Sequence, residues 1–309
     1  MDLGERIQSL YAKYGSLKGI TIELHKQLIA VSVRNEAASA TIFLQGAQLA
    51  EYKRAGEHPL IWLSAQCDYQ SGTPLRGGIP ICWPWFGDLS RNPKAVQNQI
   101  CGGDQPAHGF VRDREWELIA VELPDTETTR ITLQLEVAAD EIWKFPAALR
   151  VIITVGTELS LQFQVTNLGA EPFSFSHALH TYFNIGDIEG ARVEGLEGYD
   201  YLDTLDNWTL KKSNFPLQIN AEVDRVYPDV AKELRITDRK LNRTIKIEAM
   251  NLSDLVVWNP WIDKSKRLSH FGESDYTQML CLESARLLDN IVCLTANETY
   301  KCTVRYSFN

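Results

Sequence analysis

The 309-residue chain lacks the features that would place it in a membrane or on a nucleic acid. No apolar stretch approaches the ~18 residues that a membrane-spanning helix needs. Glu5 and Arg6 interrupt the N-terminal region where a signal peptide would be apolar. The net charge of −9 argues against nucleic-acid binding, which requires a basic face. A few local arginines can nevertheless bind an anionic small molecule in an acidic protein.

Familiar cofactor and metal motifs are also absent. The six cysteines form no C-x-x-C pair, so we expect reduced thiols in a cytoplasmic protein. We find no G-x-G-x-x-G, P-loop or G-x-S-x-G sequence and no H-E-x-x-H or calcium loop. The sequence therefore predicts neither a cofactor nor a bound metal.

Alternation of apolar and polar residues dominates the sequence and is typical of antiparallel sheets with one buried face. The absence of a βαβ rhythm argues against a doubly wound parallel sheet. We predict an all-β fold, a large antiparallel β-sandwich with a few short helices, forming a single domain over residues 1–309. Residues 70–110 and 200–230 are expected to be irregular insertions, and residues 3–14 an amphipathic helix. The clearest alternating segments are 131–137, 149–155, 159–165 and 302–308.

The stretch FSHALHTYF contains two histidines three residues apart. Its β-branched and aromatic content, after Pro172, favours a strand, which places His177 and His180 on opposite faces. The face of His177 is apolar, so we expect a structural histidine there. The face of His180 is small and polar, and the pattern leaves open whether His180 is functional or a satisfied core residue.

Two irregular segments carry arginines beside glycines. In PLRGGIPICWPWFG, Arg76 precedes Gly77 and Gly78, which would let the backbone approach a ligand closely. In AHGFVRDREWEL, Arg112 follows His108 by four residues. Two such arginines suit a phosphate dianion. The alternative is a pair of surface arginines, with Arg112 paired to the adjacent Asp113.

A carboxylate lies within the predicted strand MLCLESARL. Glu283 shares a face with Met279 and Cys281, and partial burial there would raise its pKa towards that of a general base. The alternative is a glutamate in a salt bridge at a strand end.

The ordered set of motifs RGGIPICWPWFG, AHGFVR, HTYFNIGDIEG, VDRVY, VVWNPWIDKS and MLCLES resembles the hexose-phosphate mutarotases, or glucose-6-phosphate 1-epimerases, of the galactose mutarotase superfamily. These motifs cover most of residues 60–285. The resemblance implies a β-supersandwich fold and cofactor-free interconversion of the α and β anomers of a hexose 6-phosphate. We expect a monomer whose partner is this small molecule, with no nucleic acid and no membrane.

The resemblance also implies two catalytic residues. His180 in HTYF matches the family's catalytic histidine, and Glu283 in CLES matches its catalytic glutamate. Glu283 would act as general base on the C1 hydroxyl, and a protonated His180 would donate to the ring oxygen. We expect mutual attraction to keep the two groups in opposite charge states.

Four further residues would bind substrate by the same resemblance. Arg76 and Arg112 match phosphate-contacting arginines, and Asp224 in VDRVY matches a substrate-binding aspartate. His108 stands at the position of a pocket histidine.

Three positions differ from the usual family pattern: Asp113 beside Arg112, His270 where an acidic residue is common, and Ser284 where proline is frequent. None of them removes a reacting group. Two alternatives stay open, an aldose 1-epimerase for neutral sugars and a noncatalytic sugar-phosphate sensor on the same fold. The arginine pair argues against the first, and the presence of both His180 and Glu283 against the second.

Overall fold

Antiparallel sheets dominate the computed structural model, which describes residues 2–230 and 233–308. The strands in these residues are β1 Ile20–His25, β2 Leu28–Arg34, β3 Ala38–Phe43, β4 Gln48–Arg54, β5 Ile81–Cys82, β6 Glu117–Glu122, β7 Thr129–Val137, β8 Ala147–Val155, β9 Leu159–Asn167, β10 Phe173–Phe175, β11 His177–Leu179, β12 Tyr182–Asn184, β13 Ala191–Glu194, β14 Asp200–Asp203, β15 Thr209–Lys212, β16 Leu217–Gln218, β17 Val223–Tyr227, β18 Leu234–Asp238, β19 Arg243–Met250, β20 Asp254–Asn259, β21 Met279–Arg286, β22 Val292–Leu294 and β23 Thr299–Phe308.

Helices are few and short. They are α1 Leu3–Tyr14, α2 Lys94–Gln97 and α3 Trp261–Ser265. A capping box of Asp2 and Glu5 begins α1, the amphipathic helix that the sequence predicted. Its buried face is narrower than expected, because Tyr14 is buried while Tyr11 is exposed. None of the helices in the described residues combines the length and apolarity needed to cross a bilayer.

Two large sheets organise the strands. A nine-stranded sheet has the order β16-β13-β18-β19-β23-β9-β8-β7-β6. An eight-stranded sheet has the order β15-β14-β17-β20-β21-β11-β5, with β12 also pairing with β21. A four-stranded sheet, β1-β2-β3-β4, and a small β10-β22 pair complete the architecture.

The all-β prediction is confirmed, and the four predicted strands are β7, β8, β9 and β23 of the nine-stranded sheet. Their register is regular over eight or nine residues a pair, because alternating apolar side chains fix which face is buried. The prediction of an irregular segment at 200–230 is wrong, since it contains β14, β15, β16 and β17. These strands are two to five residues long, too short for alternation to reveal. A single domain stays a prediction.

The eight-stranded sheet separates the main core from a cavity. Along β21, Leu280 and Leu282 belong to the core that also contains buried residues of the nine-stranded sheet. Cys281, Glu283 and Ala285 alternate with them and therefore point to the opposite face, as the sequence pattern predicted for Glu283. This alternation fixes Glu283 on the face that carries the cavity.

The glycines beside Arg76 serve chain packing instead of ligand approach, which corrects the sequence-based expectation. Gly77 has φ +117, and a Cβ there would lie 2.6 Å from the carbonyl oxygen of Trp62. Neither Gly77 nor Gly78 lines the cavity. Glycine is required because the backbone before β5 lies against the segment around Trp62.

A buried ion pair connects two parts of the fold. It links the nine-stranded sheet to the segment that follows β12 of the eight-stranded sheet. Arg243 Nε lies 3.8 Å from Asp238 Oδ2, with side-chain exposures of 3% and 0%. The guanidinium also donates to the carbonyls of Pro59, at 2.9 Å, and Asn184. Asp238 accepts from the backbone of Gly186 at 2.9 Å. Asn184 ends β12, so this cluster supports the strand that follows His180.

We predict that Arg243→Met destabilises the protein by about 3–5 kcal/mol, because it leaves the Asp238 carboxylate buried without its cation. Chemical denaturation of the variant measures the loss. Arg235→Met, which removes an exposed pair with Glu233, serves as the control and should cost less than about 1 kcal/mol. A loss for Arg243→Met no larger than that of the control contradicts a stabilising role for the cluster.

Candidate active site

The sequence-predicted catalytic residues lie in contact in the structure. His180 Nε2 is 3.4 Å from Glu283 Oε1, and the two side chains are 11% and 2% exposed. His180 lies in the break between β11 and β12, where its backbone N–H donates to the carbonyl of Pro80 at 3.0 Å. Glu283 lies in β21, which pairs with both of these strands. Residues 103 positions apart are therefore neighbours because their strands are adjacent.

The strand predicted over 173–183 is broken at Ser176 and again at His180, and its first piece, β10, pairs with β22 outside the eight-stranded sheet. The two faces are nevertheless as expected. Thr181 turns inwards and its hydroxyl contacts that of Tyr306 at 2.5 Å. The ring of Tyr182 stacks on His180 at 4.7 Å with an interplanar angle of 8°. His177 points to the core, where its ring contacts Phe163 and Tyr300. Burial and then Arg286 lower the pKa of His177 to about 3, in keeping with a neutral structural histidine.

Burial shapes the protonation of the His180–Glu283 pair. Burial first, and then the Asp224 charge, raise the pKa of Glu283 well above its ordinary value. Burial first, and then the neighbouring side chains of His108, Arg112 and Arg76, lower the pKa of His180. These directions run against the expected pair of opposite charges and favour a neutral pair. The ion pair and the neutral pair share the same single proton. Its transfer across the 3.4 Å contact between His180 and Glu283 converts one arrangement into the other.

Each member of the pair has one buried polar atom without a hydrogen-bond partner among the described residues. These atoms are His180 Nδ1 and Glu283 Oε2. Buried polar atoms in folded proteins are nearly always hydrogen-bonded. Unpaired polar atoms on both members of a pair that lines a cavity therefore favour a functional over a purely structural role for the pair.

A cavity of about 370 Å³ opens over the pair. Its size is within the range of small-molecule sites. Trp258 and Tyr182 form part of its wall, where an aromatic ring can stack on the face of a sugar. Trp83 and Trp85 are instead fully buried in the core, and only Phe86 of that aromatic segment reaches the cavity.

Three of the four predicted substrate-binding residues also line this cavity: Arg76, His108 and Asp224. Arg76 is partly buried and its Nε donates to the carbonyl of Ser269 at 3.3 Å. The adjacent His270 lies 3.5 Å from Asp68 and 3.3 Å from the carbonyl of Gln66. His270, one of the departures from the family pattern, therefore holds the loop that contacts Arg76.

Arg112 lies outside the cavity lining, close behind His108. Its guanidinium donates to the carbonyl of Ala107 at 2.8 Å, and Ala107 lines the cavity. Asp113 forms no ion pair with Arg112 in the described structure, and burial raises the Asp113 pKa. Direct phosphate contact by Arg112 stays a prediction.

His108 is held as a neutral ring beside His180. Its Nδ1 accepts from the backbone N–H of Gly87 at 3.2 Å, which leaves the proton on Nε2. The two imidazoles lie 5.5 Å apart, centroid to centroid. Burial, followed by the charges of Arg112 and Arg76, lowers the pKa of His108 to about 3. His108 is therefore suited to donating a hydrogen bond from Nε2.

Sequence reasoning missed Lys264, which lines the cavity beside Asp224. Its Nζ lies 3.7 Å from Asp224 Oδ2, 3.1 Å from Glu222 Oε1 and 5.8 Å from the ring centre of Trp258. Burial raises the pKa of Asp224, and Lys264 is the main opposing influence. The WNPWIDKS motif contained this lysine, but only the pairing of β17 with β20 brings it to Asp224.

Two further lining residues were not predicted, Arg91 and Trp208. Arg91 ends the 3₁₀ turn Leu89–Arg91, and its guanidinium carbon lies 5.9 Å from the ring centre of Trp208. Both residues lie in segments without strand periodicity. Alternation therefore gave no signal for them.

The potential metal-ligating atoms near the cavity do not form a convincing metal site. Ligand atoms of His180, Cys281 and Glu283 lie within 4.8 Å of one another. Cys281 is fully buried and does not line the cavity. Burial and then Glu283 raise its pKa well above the ordinary value, so the thiol keeps its proton and is a poor ligand.

Comparison with known proteins assigns the chain to one family. A family model described as aldose 1-epimerase matches residues 30–307. The chain belongs to the aldose 1-epimerase family. It is an enzyme family that interconverts the anomers of sugars, and the resemblance inferred from the motifs is confirmed.

Relatives and a solved structure agree with this assignment. The chain is 36% identical over 261 residues to a candidate glucose-6-phosphate 1-epimerase of Cenchrus ciliaris, covering 80% of this chain and 74% of the relative. It is 30% identical over 280 residues to a candidate of the same description from Escherichia coli, covering 90% and 86%. The crystal structure of a candidate mutarotase from Salmonella typhimurium matches with a TM-score of 0.85 at 26% identity, covering 95% of this chain and 94% of that one.

We predict that His180 does not titrate between about pH 6 and 8 in the free protein. Burial is the main reason that the pKa of His180 lies well below its ordinary value of 6.5, so the ring does not gain a proton in this range. Imidazole nitrogen shifts measured by NMR, assigned with a His180→Asn variant, test this. A titration of the His180 ring with a midpoint near 6.5 contradicts it.

Proposed function

We propose that the protein interconverts the α and β anomers of a hexose 6-phosphate, with glucose 6-phosphate as the representative substrate. The observation that carries the proposal is the buried His180–Glu283 contact at the base of a cavity that Arg76 also lines. The names of the relatives support the phosphorylated substrate. The cytoplasmic location and monomeric state expected from the sequence stay predictions.

The reaction opens and recloses the sugar ring. Glu283 as carboxylate takes the proton of the C1 hydroxyl, while His180 as imidazolium gives its proton to the ring oxygen and the C1–O5 bond breaks. Rotation about C1–C2 and return of both protons give the other anomer. Each acid–base contribution is typically worth about 10²–10⁴ in rate.

Burial of the pair supports both proton transfers. A raised pKa makes the Glu283 carboxylate a stronger base, and a lowered pKa makes the His180 imidazolium a stronger acid. After ring opening both groups are neutral, which is the arrangement that burial favours. The open-chain complex is therefore stabilised relative to the starting ion pair.

Substrate recognition uses groups around the pair. Arg76 forms no ion pair with a carboxylate among the described residues, so its guanidinium is available to a phosphate. Asp224, held near Lys264, would accept a hydrogen bond from a sugar hydroxyl. His108 would donate one from Nε2. A remote phosphate anchor of this kind positions the ring between acid and base.

We expect the protein to accelerate anomer exchange of glucose 6-phosphate, and Glu283→Gln to reduce that acceleration by about 10²–10⁴-fold, because glutamine keeps the shape but cannot accept the proton. Exchange NMR or polarimetry measures the rate against buffer alone. Glu248→Gln, on the surface of β19, is the matched control and should keep full activity. No acceleration by the unmodified protein rejects the proposal, and calorimetric binding without exchange then indicates the noncatalytic sensor.

The second candidate is an aldose 1-epimerase for neutral sugars, which the description of the family model favours. Arg76→Gln separates the two, because loss of a charge-assisted contact to phosphate should raise KM for glucose 6-phosphate by about 10- to 100-fold. KM for glucose should change far less. Exposed Arg150→Gln is the control. Equal activity on both sugars, with no effect of Arg76→Gln on either, indicates the neutral substrate.

A further inference from the structure

The cavity contains an arginine that the proposed reaction does not use. Arg91 lines it together with Arg76, and neither forms an ion pair with a carboxylate among the described residues. Asp88 is close enough for the Arg91 charge to contribute to its lowered pKa, after the hydrogen bonds from Ser90, but the two side chains are not paired. In a chain of net charge −9, two unpaired guanidinium groups at one cavity indicate an anionic ligand.

The two arginines belong to different sides of the catalytic pair. On β21, Glu283 lies between Cys281, in an apolar cluster with Tyr182 and Trp258, and Ala285, in a second apolar cluster with Val226. Cys281 and Ala285 are four residues apart, about 13 Å along a strand. Glu283 is therefore central along the cavity face.

Neighbouring contacts assign one arginine to each side. Arg76 donates to Ser269, next to Leu268 of the Cys281 cluster. Arg91 lies over the ring of Trp208, which packs against the Ala285 cluster. The cavity thus has a cationic group on either side of the acid–base pair.

Trp208 is held in place by an unusual backbone. Asn207 and Trp208 have φ values of +49 and +60. A bulky residue in this region is an outlier that the surrounding structure must support. The N–H of Trp208 donates to the carbonyl of Asp203 at 2.9 Å, which closes the turn and presents the ring to the cavity below Arg91.

We propose that Arg91, supported by Trp208, forms a second anion subsite, and that the cavity accepts hexose bisphosphates with a free anomeric hydroxyl and a phosphate on either side of the anomeric centre. This inference rests on the proposed function of the same site. A ketohexose 1,6-bisphosphate has this chemistry. Its anomeric carbon and ring oxygen lie between its two phosphates, as His180 and Glu283 lie between Arg76 and Arg91.

The reaction on such a substrate needs no additional chemical group. Glu283 takes the proton of the anomeric hydroxyl, His180 protonates the ring oxygen, and the open-chain ketone forms as the ring C–O bond breaks. Both protons return on reclosure. Both phosphates remain bonded throughout, so Arg91 contributes binding and specificity only.

The test compares the protein with Arg91→Gln on fructose 1,6-bisphosphate and glucose 6-phosphate by exchange NMR. We expect the ratio of kcat/KM for the bisphosphate to that for the monophosphate to fall by about 10- to 100-fold, the effect of losing one charge-assisted contact. Arg130→Gln, an exposed arginine on β7 paired with Glu122, is the matched control and should leave the ratio unchanged. An unchanged ratio in Arg91→Gln overturns the inference.

Calorimetric binding separates this inference from the proposed function. Fructose 1,6-bisphosphate should bind the Glu283→Gln protein, and adding Arg91→Gln should weaken that binding about 10-fold or more. This result supports the second subsite even if no anomer exchange is observed. Binding that is absent, or equal with and without Arg91→Gln, overturns it even if glucose 6-phosphate proves to be the substrate.

Discussion

The contact between His180 and Glu283 is the interaction on which the proposed function depends. Both side chains are almost completely buried, although each is costly to bury when charged. The protein tolerates them because the pair shares a proton and can be neutral. The same burial strengthens Glu283 as a base and His180 as an acid. In the proposed function, stability and catalysis are therefore reconciled by one proton, whose transfer converts the ion pair into a neutral pair.

The pairing of strands in the eight-stranded sheet fixes the relative positions of His180 and Glu283. Glu283 is fixed by the pairing of β21 with β20 and β11, and His180 by its backbone bond to Pro80 at the break after β11. Leu282 and Leu179, on the other face, belong to the main core. A shift of one residue in the register of β21 would exchange Leu282 for Glu283 and place a carboxylate in the core. The catalytic geometry is thus protected by hydrophobic burial on the opposite face.

The alternation of apolar residues predicted the long strands of the nine-stranded sheet and the orientation of Glu283, because both follow from a period of two. It could not predict the break at His180, which depends on contacts to Pro80 and Tyr306. Alternation also failed to predict the short strands at 200–230, because these strands are defined by their pairing with neighbouring strands. The six site residues came from the ordered motifs. Lys264 lies in the short helix α3, and Arg91 and Trp208 lie in segments without strand periodicity, so only the folded chain determines where these side chains meet the cavity.

The division between strands and loops has a consequence for specificity. The acid–base pair is held by sheet register, whereas Arg76, Arg91 and Trp208 are presented by irregular segments. Loops tolerate substitution more readily than paired strands. The reacting groups can therefore stay fixed while the charges around them vary, and substrate choice becomes a property of the loops. In the proposed function, the absence of carboxylate partners for Arg76 and Arg91 among the described residues leaves both guanidinium groups available to phosphorylated ligands.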